Sequence, residues 1–262
     1  MSRVLIVCRQ RLGDIIAQFP AAQHLAETGN EVDFCCGPPF HSIFRTISYC
    51  RPVGLDAAEH LQDYDRVYNM EITRRDYDAF RASKTKWRDY VYGRYDDLWP
   101  VRNQMPSFDR LADVSEYQLP ARYALACPTG ISQVPRVDGK WFQQQCQPLS
   151  QDPWYVLTDK PNGKSPWGTS LHARSLEHLP TLIAGATTFV TINSAPNIIA
   201  AGVRTSYYQV YEAGFGGQTN YDAPGQIVLH QPPEIAHYSW RFWTHYWRRR
   251  LMGIDVTGDF GK

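Results

Sequence analysis

Asp14 stands where an apolar run gives way to an amphipathic segment, in VLIVCRQRLGDIIAQFP at residues 4–20. Val4, Leu5, Ile6 and Val7 read as a buried parallel strand. Arg9, Gln10 and Arg11 form a polar, basic turn, and Gly13 and Asp14 open a helix. Open α/β sheets bind ligands beyond the carboxyl ends of their strands, so the carboxylate in this turn is the first residue to suspect of chemistry. The competing reading is plain: aspartate is also a favoured helix N-cap.

The elements around this turn set the fold class. The first helix is expected over residues 13–28, stopped by Gly29 and Asn30. Strands at 31–36 and 65–70 flank a short helix at 40–48, a β-α-β rhythm that predicts a parallel, doubly wound α/β sheet. A helix is expected within 87–98, and a Pro- and Gln-rich linker over 128–153. The rhythm then resumes with strands at 154–158, 188–192 and 206–211 and helices at 175–184 and from Ser194 onward. Pro180 should kink the first of these helices. The division is therefore an N-terminal Rossmann-like domain at 1–135, a second at 150–233, and a C-terminal helix at 234–252 crossing back to the first.

Composition narrows the function classes. The chain has 262 residues, enough for two small α/β domains, and a net charge of +1, so no global field selects nucleic acid or membrane. Six cysteines without CxxC spacing point to reduced thiols in a cytoplasmic protein rather than a zinc site or disulfide framework. No apolar run reaches membrane-spanning length, and no secretory signal is visible. There is no GxSxG, P-loop or HExxH motif.

Two segments resemble a known family. VLIVCRQRLGDIIAQFPAAQHL is similar to the N-terminal signature of the heptosyltransferase-like glycosyltransferases, glycosyltransferase family 9, and LIAGATTFVTINSAPNIIAAGV is similar to the second signature of that family. The resemblance implies a GT-B fold, two facing Rossmann-like domains, and inverting transfer from a nucleotide-sugar with no metal or other cofactor. It makes Asp14 the catalytic carboxylate, Asn193 and Ser194 the donor-binding turn, and Lys160 or Lys164 the cation for the donor diphosphate. The pattern departs at three places: Asn193 for the usual Asp, Ala195 for the usual Gly, and Ile198, beside Asn197, for the usual His. These departures leave the sugar and the base open, and they support a second reading as a non-catalytic nucleotide-binding module.

The residues fit such a transfer. Asp14 can take the acceptor proton, while Arg9, Arg11, Gly13 and the helix start at Ser194 can face phosphates or acceptor. Asn197 and Glu212 complete the donor candidates, Glu212 because it directly follows a strand and points to the ribose. Gly214 to Gly217 and His172 read more simply as a turn and a loop histidine.

Two basic, aromatic segments bear on the acceptor. Residues 72–95 carry Arg74, Arg75, Lys84, Lys86 and Arg88 among Tyr and Trp, and the C-terminal helix joins Trp243 to Arg248, Arg249 and Arg250. Cations for phosphates and rings for bases favour DNA bearing a hydroxymethylated pyrimidine, flipped into the cleft, as in phage-type DNA modification. The alternative acceptor is a lipopolysaccharide-core saccharide, which is anionic too. Oligomeric state is left open.

Overall fold

A computed structural model describes residues 1–73, 76–128, 137–211 and 221–232. Its first half is β1 (Arg3–Val7), α1 (Leu12–Ile16), α2 (Phe19–Glu27), β2 (Glu31–Cys35), β3 (Arg51–Val53), β4 (Arg66–Asn69), α3 (Asp76–Ser83) and α4 (Trp87–Tyr92). The second half is β5 (Ala124–Cys127), α5 (Gly139–Cys146), β6 (Trp154–Leu157), β7 (Thr169–Leu171), α6 (His178–Gly185), β8 (Thr188–Ile192), α7 (Ala195–Val203), β9 (Tyr207–Tyr211) and β10 (Gln226–His230). Short 3-10 turns, the longest at Pro38–Thr46, fill several connections.

Two parallel sheets result, in the orders β3-β2-β1-β4 and β10-β9-β8-β5-β6-β7. Each has a switch point. From β1 the chain passes to β2 on one side, leaving β4 on the other; β5 likewise stands between β6 and β8. Crevices open at the carboxyl ends of such neighbours. Strand β1 is buried on both faces, as its apolar run predicts: Val4 and Ile6 enter one core, Leu5 and Val7 another. The larger core is shared by both sheets, running from Val4 and Ile6 to Leu125, Phe189 and Tyr207.

Several expected elements differ, for local reasons. The helix expected over 13–28 is two, parted at Ala17 and Gln18. Pro20 has no N–H and its ring would meet the preceding turn, so it sits in the first turn of α2, where neither matters. Pro180 likewise lies in the first turn of α6 and makes no kink. The helix within 87–98 stops at Tyr92. The linker over 128–153 contains α5, capped by Asp138, whose Oδ1 accepts from the Trp141 amide at 2.8 Å. Strand β5 lies within the expected N-terminal unit 1–135, yet it pairs with β6 and β8 inside the second sheet. The C-terminal helix expected at 234–252 lies outside the described residues.

The passage between the halves grips both. Phe108 meets the Phe19 ring edge-on at 6.0 Å, the Tyr49 hydroxyl donates to Ser107 O at 2.8 Å, and Thr181 Oγ1 donates to Ala112 O at 2.9 Å. Arg45 reaches Glu177 at 3.1 Å across the same boundary. Gly202 of α7 lies against Pro106 and Phe108: a Cβ there would collide with the Pro106 carbonyl and stand 2.9 Å from the Phe108 ring. Glycine to alanine in a helix is normally stabilising. Here the overlap reverses the sign, and Gly202→Ala should lower the unfolding free energy by about 1–3 kcal/mol in urea titration.

Candidate active site

The turn after β1 is pinned residue by residue to the segment after β4. The Arg9 amide donates to Glu71 Oε1 at 2.5 Å, and its Nε and Nη2 reach Oε1 and Oε2 at 3.1 and 3.0 Å. Gln10 Nε2 donates to Ile72 O at 2.7 Å. Arg94 Nη1 donates to Glu71 O at 2.6 Å. Burial alone would raise the Glu71 carboxyl, but the bonds from Arg9 outweigh it and hold Glu71 below the usual glutamate range.

Asp14 is not the N-cap; Arg11 occupies that position, and Asp14 is the third residue of α1. Its Oδ2 accepts from the Arg11 amide at 3.2 Å, the reaching-back half of a capping box. Burial pushes the Asp14 carboxyl above the usual aspartate range, and the Arg11 amide and charge offset only part of that. The adjoining Cys8 thiol is buried and pushed well up, first by burial and then by the charges of Asp14 and Glu71. It is therefore no nucleophile. Two carboxylates near one thiol are thus driven in opposite directions, which separates a proton acceptor from a permanent anion.

The second half meets this turn at the start of α7. A Cβ on Gly13 would lie 3.4 Å from Ile198 Cδ1 and 3.6 Å from the Ala195 Cα and N. The turns that follow β1 and β8 therefore converge, bringing Gly13 and Asp14 to the helix start after Asn193 and Ser194. Ser194 stands at the N-cap, but its hydroxyl donates to Ile192 O at 3.3 Å and caps no amide. In the first turn of α7 Pro196 has no N–H and the Asn197 amide donates to Ser194 O at 3.0 Å, so among the described residues the amides of Ser194 and Ala195 are those left at the positive end.

The remaining candidates divide. Lys160 and Lys164 are exposed in the loop after β6, at the same edge of the sheet as the β8 turn. A turn there, with Gly163 N donating to Lys160 O at 3.0 Å, shapes the loop without choosing between them. His172 Nδ1 meets Thr158 O at 3.1 Å and braces the same loop. Asn197, expected to bind donor, is fully buried, and its side-chain atoms meet no partner among the described residues. Arg11 and Lys84 are exposed. Lys86 and Arg88, expected to bind nucleic acid, are instead engaged across the halves. Lys86 Nζ reaches Asp222 Oδ2 at 2.7 Å, Arg88 Nη2 donates to Asp222 O at 3.0 Å, and the Arg88 guanidinium lies 4.2 Å from the Tyr221 ring centroid. Glu212, Arg74, Arg75, Trp243, Arg248, Arg249 and Arg250 lie outside the described residues.

Glu71 is the residue we did not single out from sequence. Its only signal was position, since like Asp14 it follows a strand of the first sheet. Among the described residues, no group of three or more His, Cys, Asp or Glu side chains is placed to hold a metal ion. No described helix is long and apolar enough to cross a membrane.

Known proteins share this arrangement in fold. No family model matches the sequence, and no curated protein sequence matches it. Among solved structures, the E. coli heptosyltransferase WaaC with ADP superposes with a TM-score of 0.60 at 16% identity, over 88% of this chain and 93% of that one. A family 9 glycosyltransferase from Veillonella parvula gives 0.64 at 11% identity, over 99% and 91%. The E. coli ADP-heptose lipopolysaccharide heptosyltransferase II gives 0.61 at 11% identity, over 96% and 99%. The chain has the GT-B fold of the heptosyltransferase-like glycosyltransferases, as the two sequence signatures imply.

Two measurements follow. The raised Asp14 value means its ionised form costs stability once the pH passes that value. Asp14→Asn should therefore melt higher than wild type at pH 7, and the gain should vanish below about pH 3, where the carboxyl is protonated folded or unfolded. Arg88→Ala should lower stability by about 0.5–2 kcal/mol through the lost Tyr221 stacking while leaving retention on a DNA column unaltered.

Proposed function

We propose that this chain is an inverting glycosyltransferase. It moves a sugar from a nucleoside-diphosphate donor to a hydroxyl of a saccharide acceptor of the lipopolysaccharide-core type. The observation that carries the reading is the meeting of the Asp14 turn with the α7 start, where Gly13 abuts Ala195. The base and a helix start suited to phosphate then face one crevice. One of the superposed structures, WaaC, holds ADP, and a second structure of WaaC with a TM-score of 0.58 holds ADP-2-deoxy-2-fluoro heptose, which supports a nucleotide-sugar as the co-substrate.

In this mechanism the Asp14 carboxylate takes the acceptor proton as the acceptor oxygen attacks the anomeric carbon. The bond from that carbon to the diphosphate oxygen breaks in the same displacement, and the configuration inverts. Charge growing on the leaving diphosphate is met by the α7 start and by Lys160 or Lys164. The raised proton affinity of Asp14 makes it a stronger base than a free aspartate once it is ionised. A DNA acceptor is less well supported, because Lys86 and Arg88 are committed within the chain.

The test offers purified protein a panel of nucleotide-sugars with a truncated lipopolysaccharide core or with DNA containing 5-hydroxymethylcytosine, and weighs the products. We expect the saccharide to gain one sugar, and Asp14→Asn to slow that step by about 10²–10⁴-fold. Mass gained by the DNA alone would overturn the acceptor assignment, and no turnover of any donor would overturn the enzyme assignment. The acid limb of kcat/KM should lie above the range of a free aspartate, as the buried carboxyl must be ionised to act.

A further inference from the structure

The Arg9–Glu71 pair divides its two charges unequally between protein and solvent. The Glu71 side chain is 7% exposed and the Arg9 side chain 48%. Glu71 grips one edge of the guanidinium, through Nε and Nη2, and also the Arg9 amide. A guanidinium has five N–H donors in a fixed plane. Two are spent on Glu71, so among the described residues both hydrogens of Nη1 and one of Nη2 remain without a partner, on a side chain that is half exposed. Lysine, a point charge on a flexible stem, would keep no such orientation.

The pair also sits in the mechanistic turn. Arg9 is followed by Gln10, anchored on Ile72, and by Arg11, whose amide binds Asp14. Arg94 holds the Glu71 carbonyl from behind, so the carboxylate itself is fixed. A buried anion of this kind cannot reach a substrate, but it can hold a cation that does.

We propose that Glu71 is a positioning residue, presenting the free edge of Arg9 as a preformed subsite for an anionic oxygen group of a substrate, phosphate or carboxylate. The group comes from the donor diphosphate or from an acid on the acceptor, and the experiment separates the two. Glu71→Gln removes the charge and half of the two-point grip. Arg9→Lys keeps the charge without the plane, at a half-exposed position that the fold tolerates.

The first arm needs no activity. The Arg9 Nε resonance of the full chain is followed by NMR while inorganic phosphate is added. We expect a saturable shift in wild type and at least tenfold weaker binding in both Glu71→Gln and Arg9→Lys. A flat wild-type titration would overturn the subsite whether or not the protein transfers sugar. The second arm rests on the transferase reading and measures KM for each substrate. Both variants should raise the KM of one substrate at least tenfold, with the smaller part of the loss in kcat. A rise for the donor assigns the anion to the diphosphate, and a rise for the acceptor assigns it to the acceptor. The double variant should be no worse than Arg9→Lys alone, because Glu71 acts through Arg9. Equal losses in kcat with both KM values intact and a lowered melting temperature would reduce Glu71 to a structural brace and sink the proposal. Phosphate binding with no sugar transfer would leave the subsite standing and remove only the transferase reading.

Discussion

The approach of Gly13 to Ala195 and Ile198 is the constraint on which the site depends. Each sheet alone has a crevice at its switch point, but neither crevice holds both the Asp14 carboxylate and the α7 start. The first supplies a carboxylate, the second a helix start with an uncapped positive end. They meet because residue 13 brings no side chain between them, and because residues 195 and 198 are small and apolar respectively. A bulky residue at 13 would act as a wedge between the two machines rather than as a local flaw.

Around this junction, electrostatics sort like residues into unlike roles. Asp14 and Glu71 both follow strands of one sheet, and both are withdrawn from water. Glu71 is given a two-point guanidinium and its own amide donor, and stays ionised. Asp14 is given a single amide from Arg11, and burial prevails. The difference lies in what lies opposite each carboxylate, and not in the carboxylates themselves. Asp33 shows a third outcome: deep in β2, burial is overcome by Arg51, Arg3 and Tyr64, and the group only braces the sheet.

Much of this was legible in the sequence, and what was not has physical causes. Strand β1 is apolar after Arg3 and strand β8, Thr-Phe-Val-Thr-Ile, is β-branched and aromatic throughout, and the turns after them carry the polar residues, so the places of Asp14 and Ser194 could be read locally. Strand β3 is only Arg-Pro-Val and β5 is Ala-Leu-Ala-Cys; neither shows the branched, alternating pattern that marks a strand, and both exist by pairing with neighbours. Helix α5 hid in a Gln-rich stretch because Phe142 and Cys146 are its buried residues, with Trp141 packed partly against the same core. Glu71 was invisible because its meaning comes from a partner 62 positions away. Lys86 and Arg88 read as surface cations for the same reason, since their partners lie beyond residue 220.

Helix α1 has one further consequence. It spans five residues, Leu12–Ile16, shorter than any length at which a helix holds itself together in water. Its shape is lent to it by the larger core, which both sheets build, and by α7 pressed against Gly13. The Asp14 carboxylate therefore does not belong to the first lobe in any separable sense. Its setting is a property of the assembled chain, so an isolated N-terminal half would carry the aspartate in its sequence and lack the surroundings that raise its proton affinity.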